Sequence, residues 1–319
     1  MKALVLQELV GPAGLHYVDT PEPTADDLVH IDVHVAGVNF PDLLLMKGMY
    51  QQKADPPFIP GSEVCGTVVR APVGSAWSPG DRVSALTTVG GYAERVAVDP
   101  GLVVATPWQL TDAEATGLLI NHQTAYFSLV IRGGLQAGET VVVLGAAGGI
   151  GSAAVQIAAA LGARVIAVEK REGVEEFVRS LGAGDVVRAE DGWAAKVTEL
   201  TGGAHLVIDP VGGPHLEEGL RSLRVGGRLV VVGFAAGAIP TIAANRLLLR
   251  NVSTIGAAWG AYFLATPGAL ATVAAALEAL VEDGLRPVLT ATYPLAEGRA
   301  AVELLEAGGV VGKIAIAVR

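Results

Sequence analysis

From Thr140 onward, short β-branched runs alternate with helix-like segments on a regular beat, and this alternation restricts the chain more than any other feature. Strand-like runs stand at Val141 to Leu144, Val165 to Glu169, Asp185 to Val187, Leu206 to Asp209, Leu229 to Val232 and Ser253 to Ala257. The first crossover reads as a helix from Gly149 to Leu161 ending near Gly162, and the second as a helix from Val174 to Leu181 ending at Gly182. Each has a glycine placed for a C-cap. Strand, helix, strand in repetition predicts a parallel sheet joined by right-handed crossovers.

Six such strands make a Rossmann-like, doubly wound α/β domain. The first 118 residues differ. Short strands at Leu28 to Val35, Val64 to Val69, Arg82 to Ala85 and Tyr92 to Ala97 are punctuated by Pro21, Pro23, Pro56, Pro57, Pro60, Pro79 and Pro107, a β-rich and irregular pattern. After Gly260 the chain reads as a long Ala/Leu helix (Ala269 to Glu282), a strand near Val288 to Tyr293, a helix from Glu297 to Glu306 and a closing strand, Lys313 to Val318, which together complete the first domain. A length of 319 residues suits two domains. Only 5% of residues are aromatic while 51% are hydrophobic, so the cores are built from Ala, Val, Leu and Ile.

Charge and cysteine content narrow the function. A net charge of -10, with no basic cluster longer than Lys170-Arg171, leaves no face for a phosphate backbone, so nucleic acid is not expected as a partner. The single cysteine, Cys65, excludes an intrachain disulfide and a multi-cysteine zinc site, and points to a reducing, cytoplasmic setting. The N-terminal Met-Lys-Ala-Leu-Val-Leu-Gln-Glu reads as a strand rather than a signal peptide. Two uncharged stretches, Thr140 to Ala163 and Asn251 to Leu277, are interrupted by glycines and Pro267, and read as buried elements of an α/β domain rather than membrane spans.

Between the first strand and first helix lies Gly145-Ala146-Ala147-Gly148-Gly149-Ile150-Gly151. In register with G-x-G-x-x-G the first glycine is replaced by Ala146, while Gly148 and Gly151 match. Glycines allow a tight turn and let backbone N–H groups approach a pyrophosphate at a helix N-terminus. Gly145, Ala147, Gly148, Gly149, Ile150 and Gly151 are therefore candidate cofactor-binding residues. Glu169, ending the second strand, stands where an acidic residue binds the adenosine ribose. It favours NADH, whereas Lys170 and Arg171 beside it attract the 2′-phosphate of NADPH, so both cofactors remain open; the basic pair also reads as a solvated loop.

A wider pattern accompanies this turn: Gly37-Val38-Asn39-Phe40-Pro41-Asp42, Gly48-Met49-Tyr50, Pro57-Phe58-Ile59-Pro60-Gly61-Ser62-Glu63, Pro79-Gly80-Asp81-Arg82-Val83 and Gly312-Lys313. In this order and spacing the chain resembles the zeta-crystallin-like quinone oxidoreductases of the medium-chain dehydrogenase/reductase superfamily. The resemblance implies a GroES-like catalytic domain made of residues 1–118 and 258–319, with a Rossmann domain, 119–257, inserted. It also places Thr124, Gly233, Phe234 and Lys313 along the cofactor. Where the zinc-dependent branch has its cysteine and histidine ligands, this chain has Asn39 and Ser62, which hold zinc poorly, so no zinc is expected. His30 and His34 share a strand face but lack a third ligand.

Without a Lewis acid the acceptor must itself be electrophilic, as quinones and α,β-unsaturated carbonyls are. Asn39 and Tyr50 are the candidate catalytic residues: an amide to hold nicotinamide or ribose, and a phenol to hydrogen-bond the acceptor carbonyl as charge develops. Tyr50 reads equally as a packing aromatic, Asp42 as structural, and His122 as a buried hydrogen-bonded residue. An enoyl-thioester reductase and a non-catalytic cofactor-binding protein stand as alternatives. The uncharged run Val252 to Phe263 predicts a homodimer in which the sixth strand meets its copy.

Overall fold

The structure, a computed structural model, describes residues 1–319. Its contacts divide the chain into one unit of Met1–Ile120 with Arg286–Arg319 and a second of Asn121–Leu285. The first unit opens with β1 (Lys2–Leu6) and β2 (Leu15–Asp19), an antiparallel pair. There follow β3 (Val29–Val38), β4 (Glu63–Arg70), β5 (Arg82–Leu86), β6 (Arg95–Val98) and β7 (Val103–Ala105). The second unit contributes β8 (Thr140–Leu144), β9 (Arg164–Glu169), β10 (Asp185–Arg188), β11 (Ala204–Asp209), β12 (Leu223–Val231) and β13 (Ser253–Gly256), after which β14 (Leu289–Pro294) and β15 (Lys313–Ala317) return to the first.

In the first unit a seven-stranded sheet runs β14-β15-β3-β4-β5-β7, with β6 pairing β3 beside that path. Its period-two patterning is clear on β3. Val29, Ile31 and Val33 are buried in the core with Val64, Val68 and Val83, while His30, Asp32 and His34 lie on the other face. There His30 contacts the Ala25 carbonyl oxygen, His34 pairs with Asp112 at 2.7 Å, and Asp32 pairs with Arg95 and Arg319. The two histidines thus serve separate polar contacts. β15 pairs antiparallel with β3, Ile314 opposite Val38, and Lys313 at its start reaches Asn39, 274 positions away in sequence.

In the second unit all six strands are parallel, in the order β10-β9-β8-β11-β12-β13. This is the doubly wound arrangement, with the order reversing beside β8. Every residue of β8 is buried, which explains its unbroken apolar run. The helix Gly149–Ala160 buries Ala153, Ala154, Val155, Ile157 and Ala158, and Gly162 follows it in the left-handed conformation.

One boundary differs from expectation. Residues 258–285 belong to the second unit's contacts, not the first's. The cause is an aromatic cluster: the Trp259 and Tyr262 rings lie 5.1 and 4.7 Å from Phe127, and Trp259 Nε1 donates to Gln123 Oε1 at 3.2 Å. The helix Ala269–Glu282 contacts the helix Gln123–Tyr126 in the same unit. No helix is long and apolar enough to cross a membrane.

Candidate active site

The glycine-rich turn links β8 to the helix Gly149–Ala160, at the carboxyl ends of the parallel strands. Gly145 sits at φ +58, a conformation that side chains disfavour. A Cβ on Gly151 would stand 2.1 Å from the Gly145 carbonyl oxygen, so only glycine permits the helix to start this close to the strand. Gly148 N–H donates to Gly145 and Ser152 N–H to Gly148, which leaves the N–H groups of Gly149, Ile150 and Gly151 without a protein acceptor. Three open donors at the positive end of a 12-residue helix fit the negative oxygens of a dinucleotide pyrophosphate.

Around this turn the second unit gathers further residues. Gly233 and Phe234, after β12, are laced to the loop after β11: Val232 and Gly233 N–H donate to the Asp209 carbonyl, and Ala235 N–H to that of Pro210. A Cβ at Gly145 would meet Val211 at 2.9 Å, and one at Gly212 would meet Phe234 at 2.9 Å. The Asn121 side chain fills the space beside Gly149, and His122 Nε2 meets Gln156 Oε1 at 3.0 Å. Thr124 stands half-buried on the adjoining helix. Sequence reasoning misses Asn121 and the Asp209–Gly213 loop. Only the Gly212-Gly213 pair signals the loop, and nothing signals Asn121.

Glu169 is buried at the end of β9, facing the glycine-rich turn. Burial opposes its ionisation, but hydrogen bonds from Arg171 and from the Ala147 N–H outweigh it and hold its carboxyl below the usual range. Lys170 is exposed and Arg171 half-buried.

The first unit gathers a different set. Asn39 precedes the helix Phe40–Met46, and its N–H donates to Asp42 Oδ2 at 2.8 Å, a reciprocal helix-start contact. Its side chain is buried and fully engaged: Nδ2 donates to Glu63 Oε1 at 2.9 Å, and Oδ1 accepts from Lys313 Nζ at 2.5 Å. Lys313 also pairs with Glu63, which is fully buried and accepts the Ile120 N–H at 2.9 Å through its other oxygen. Asp42 accepts from the Tyr92 hydroxyl at 3.0 Å. Burial pushes the Asp42 carboxyl up to about 6, although Ser62, the Asn39 N–H, Tyr92 and Lys313 all favour its charged form. Asn39 and Lys313 are therefore committed to a buried network, and neither extends as a free group. Tyr50 is half-buried, its hydroxyl carries no hydrogen bond to the protein, and burial, then the charge of Asp42, raise its proton affinity.

Comparison with known proteins fits both halves. Residues 25–108 match the alcohol dehydrogenase GroES-like domain, and residues 149–280 the zinc-binding dehydrogenase family. The chain is 36% identical over 302 residues to quinone oxidoreductase-like protein 2 of Bos taurus, covering 93% of this chain and 86% of the relative. It is 34% identical to the quinone oxidoreductase of Homo sapiens over 98% of this chain and 97% of that one. This chain belongs to the quinone oxidoreductase family of medium-chain dehydrogenases/reductases. Among solved structures, a probable oxidoreductase of Mycobacterium abscessus shares 49% identity with a TM-score of 0.94, covering 100% of this chain and 99% of that one. The quinone oxidoreductase of Thermus thermophilus, described also in complex with NADPH, shares 36% identity with a TM-score of 0.86 and complete coverage of both chains. The chain is thus a nicotinamide-dependent oxidoreductase, with the GroES-like and Rossmann units of that family.

Proposed function

We propose that this protein reduces a quinone or an α,β-unsaturated carbonyl with hydride from NADPH or NADH, and that it does so without zinc. The observation that carries the reading is the donor set at Asn39 and Ser62, where the zinc-dependent branch keeps a cysteine and a histidine. An amide and a hydroxyl stand 3.4 Å apart, and the Lys313 ammonium already occupies the Asn39 and Glu63 oxygens. That arrangement favours an acceptor electrophilic enough to take hydride unaided. The naming of the relatives as quinone oxidoreductases, and the NADPH complex of one, agree with it.

In this reading the open N–H groups of Gly149, Ile150 and Gly151 hold the pyrophosphate, and Thr124, Gly233 and Phe234 line the dinucleotide's path. When bound, the reduced nicotinamide supplies the hydride. The Tyr50 hydroxyl, protonated at neutral pH as an ordinary phenol is, donates a hydrogen bond to the acceptor oxygen as negative charge develops there. Asn39 and Lys313 act by holding the buried network that includes Asp42, whose charge reaches Tyr50, rather than by touching the cofactor. β13 is the edge of its sheet, and Ile239, Leu248, Leu249 and Leu264 are exposed in the same stretch of chain, which supports a homodimer through that edge. The buried Cys65, its thiol pushed up to about 12 by burial, suits a soluble protein of a reducing compartment such as the cytoplasm.

The deciding experiment is steady-state oxidation of NADPH and NADH with a panel of quinones, enones and enoyl thioesters, alongside metal analysis. Turnover with quinones or enones and less than a tenth of an equivalent of zinc is the expected result. Turnover confined to thioesters, or a full equivalent of zinc required for activity, overturns it.

A further inference from the structure

A dinucleotide-binding sheet usually ends its second strand with a carboxylate that accepts hydrogen bonds from the adenosine ribose. Glu169 occupies that position, yet both its oxygens are engaged within the protein. Oε2 accepts from the Ala147 N–H at 2.9 Å and from the Arg171 guanidinium at 3.2 Å. Oε1 accepts from the Lys170 N–H at 2.9 Å, the Arg171 N–H at 3.2 Å and Arg171 Nε at 3.4 Å. A carboxylate offers about four acceptor sites, and five donors already converge on this one. Its exposure is 5%, so little of it faces solvent as well.

The partners of Glu169 lie on two segments with separate tasks. Ala147 belongs to the turn whose next residues present the open N–H groups, and fixing its N–H fixes the direction of that turn. Arg171 and the backbone of Lys170 belong to the loop after β9. We infer that Glu169 is an internal latch that positions the pyrophosphate turn against this loop, and that it does not read the ribose 2′-position. Discrimination there falls to Lys170, which is exposed and whose ammonium makes no ion pair. Arg171 balances the charge of Glu169, so a 2′-phosphate arriving at Lys170 meets no uncompensated carboxylate.

This inference rests on the dinucleotide reading of the site, and binding alone tests it. NADH and NADPH are titrated by nicotinamide fluorescence without an acceptor, and 2′,5′-ADP and 5′-ADP compete against them. Glu169→Gln weakens both cofactors by the same factor, about tenfold, because the turn loses its anchor, and the NADPH to NADH affinity ratio stays within about twofold. Lys170→Ala lowers affinity for NADPH and 2′,5′-ADP about tenfold and leaves NADH and 5′-ADP unchanged. A Glu169→Gln ratio that rises tenfold or more toward NADPH makes Glu169 the 2′-reader and overturns the inference, with the proposed function intact. If Glu169→Gln does not fold, the wild type decides: 2′,5′-ADP bound about tenfold more tightly than 5′-ADP supports the inference, and the reverse order overturns it. Wild-type protein that binds neither cofactor sinks both readings.

Discussion

The glycine-rich turn of the second unit and the polar cluster of the first use hydrogen-bonding capacity in opposite ways. At the turn, three successive backbone N–H groups are left without a protein acceptor, at the end of a helix where the aligned peptide dipoles favour an anion. In the cluster, Asn39, Asp42, Glu63, Tyr92 and Lys313 satisfy one another, and all five are buried. The first arrangement keeps its donors open; the second closes on itself, and Tyr50, which feels the charge of Asp42, makes no hydrogen bond to it. The proposed function assigns binding to the open backbone donors of the turn and chemistry to the Tyr50 phenol, which the network does not consume.

The comparison breaks most severely at Lys313. Replacing it with Met leaves the fully buried Glu63 without its cation, and loss of one partner of a buried pair costs about 3–5 kcal/mol. Denaturant unfolding of Lys313→Met should show that loss, and the double variant with Glu63→Gln should recover part of it. A Lys313→Met protein as stable as the wild type would mean that the cluster is not closed on itself.

Asp42 sharpens the same contrast through pH. Its carboxyl is raised from 3.8 to about 6, chiefly by burial, so the folded protein holds this proton more tightly than the unfolded chain. The stability it contributes is present in full below about 4 and is lost as pH rises through about 6. The gap corresponds to about 3 kcal/mol. Unfolding free energies of wild type and Asp42→Asn should therefore converge or cross between those limits, with the wild type losing ground as pH rises. A constant difference across the window would remove Asp42 from the titrating groups.

How much of this can be read from the chain depends on the kind of interaction. The six parallel strands are legible because burial on both faces writes unbroken apolar runs, as in β8. The turn is legible because close backbone approach demands glycine at Gly145 and Gly151. The cluster is not, since Lys313 meets Asn39 across 274 positions and no local pattern encodes that meeting. Asn39 and Lys313 carry the expected residue types at the expected motifs, yet their side chains are spent on each other. The segment 258–285 falls in the other unit from the one expected for a similar reason: the contacts of Trp259 and Tyr262 with Phe127 have no periodicity to announce them.

On the other side of the comparison, Gly151→Val should spare the fold more than the ligand. The added Cβ meets backbone, the Gly145 carbonyl oxygen at 2.1 Å, and relief requires the turn itself to move. Overpacking of this order costs roughly 1–3 kcal/mol, and its target is the geometry of the three open N–H groups. Fluorescence titration should show NADPH and NADH weakened roughly tenfold to a hundredfold. Unchanged affinity would show that the turn's N–H groups are not the pyrophosphate site.

The smallest effect is expected at Tyr50, and it separates chemistry from packing. Its hydroxyl has no protein partner, so Tyr50→Phe removes no internal hydrogen bond and should leave stability nearly unchanged, within about 0.5 kcal/mol. What it removes is one neutral donor to the acceptor oxygen. Donors in fully enclosed oxyanion sites contribute about a hundredfold or more to turnover, but a half-buried phenol shares its task with water, so about tenfold is expected here. The loss should fall on kcat, with cofactor affinity unmoved, because the interaction strengthens only as charge develops. Burial and the charge of Asp42 both raise the Tyr50 proton affinity, so wild-type activity should persist past the ordinary phenol value near 10 before it falls, and Tyr50→Phe should lack that alkaline fall. Equal kcat in the two proteins, with the same alkaline limb, would return Tyr50 to packing and leave the closed network of the first unit with no chemical outlet.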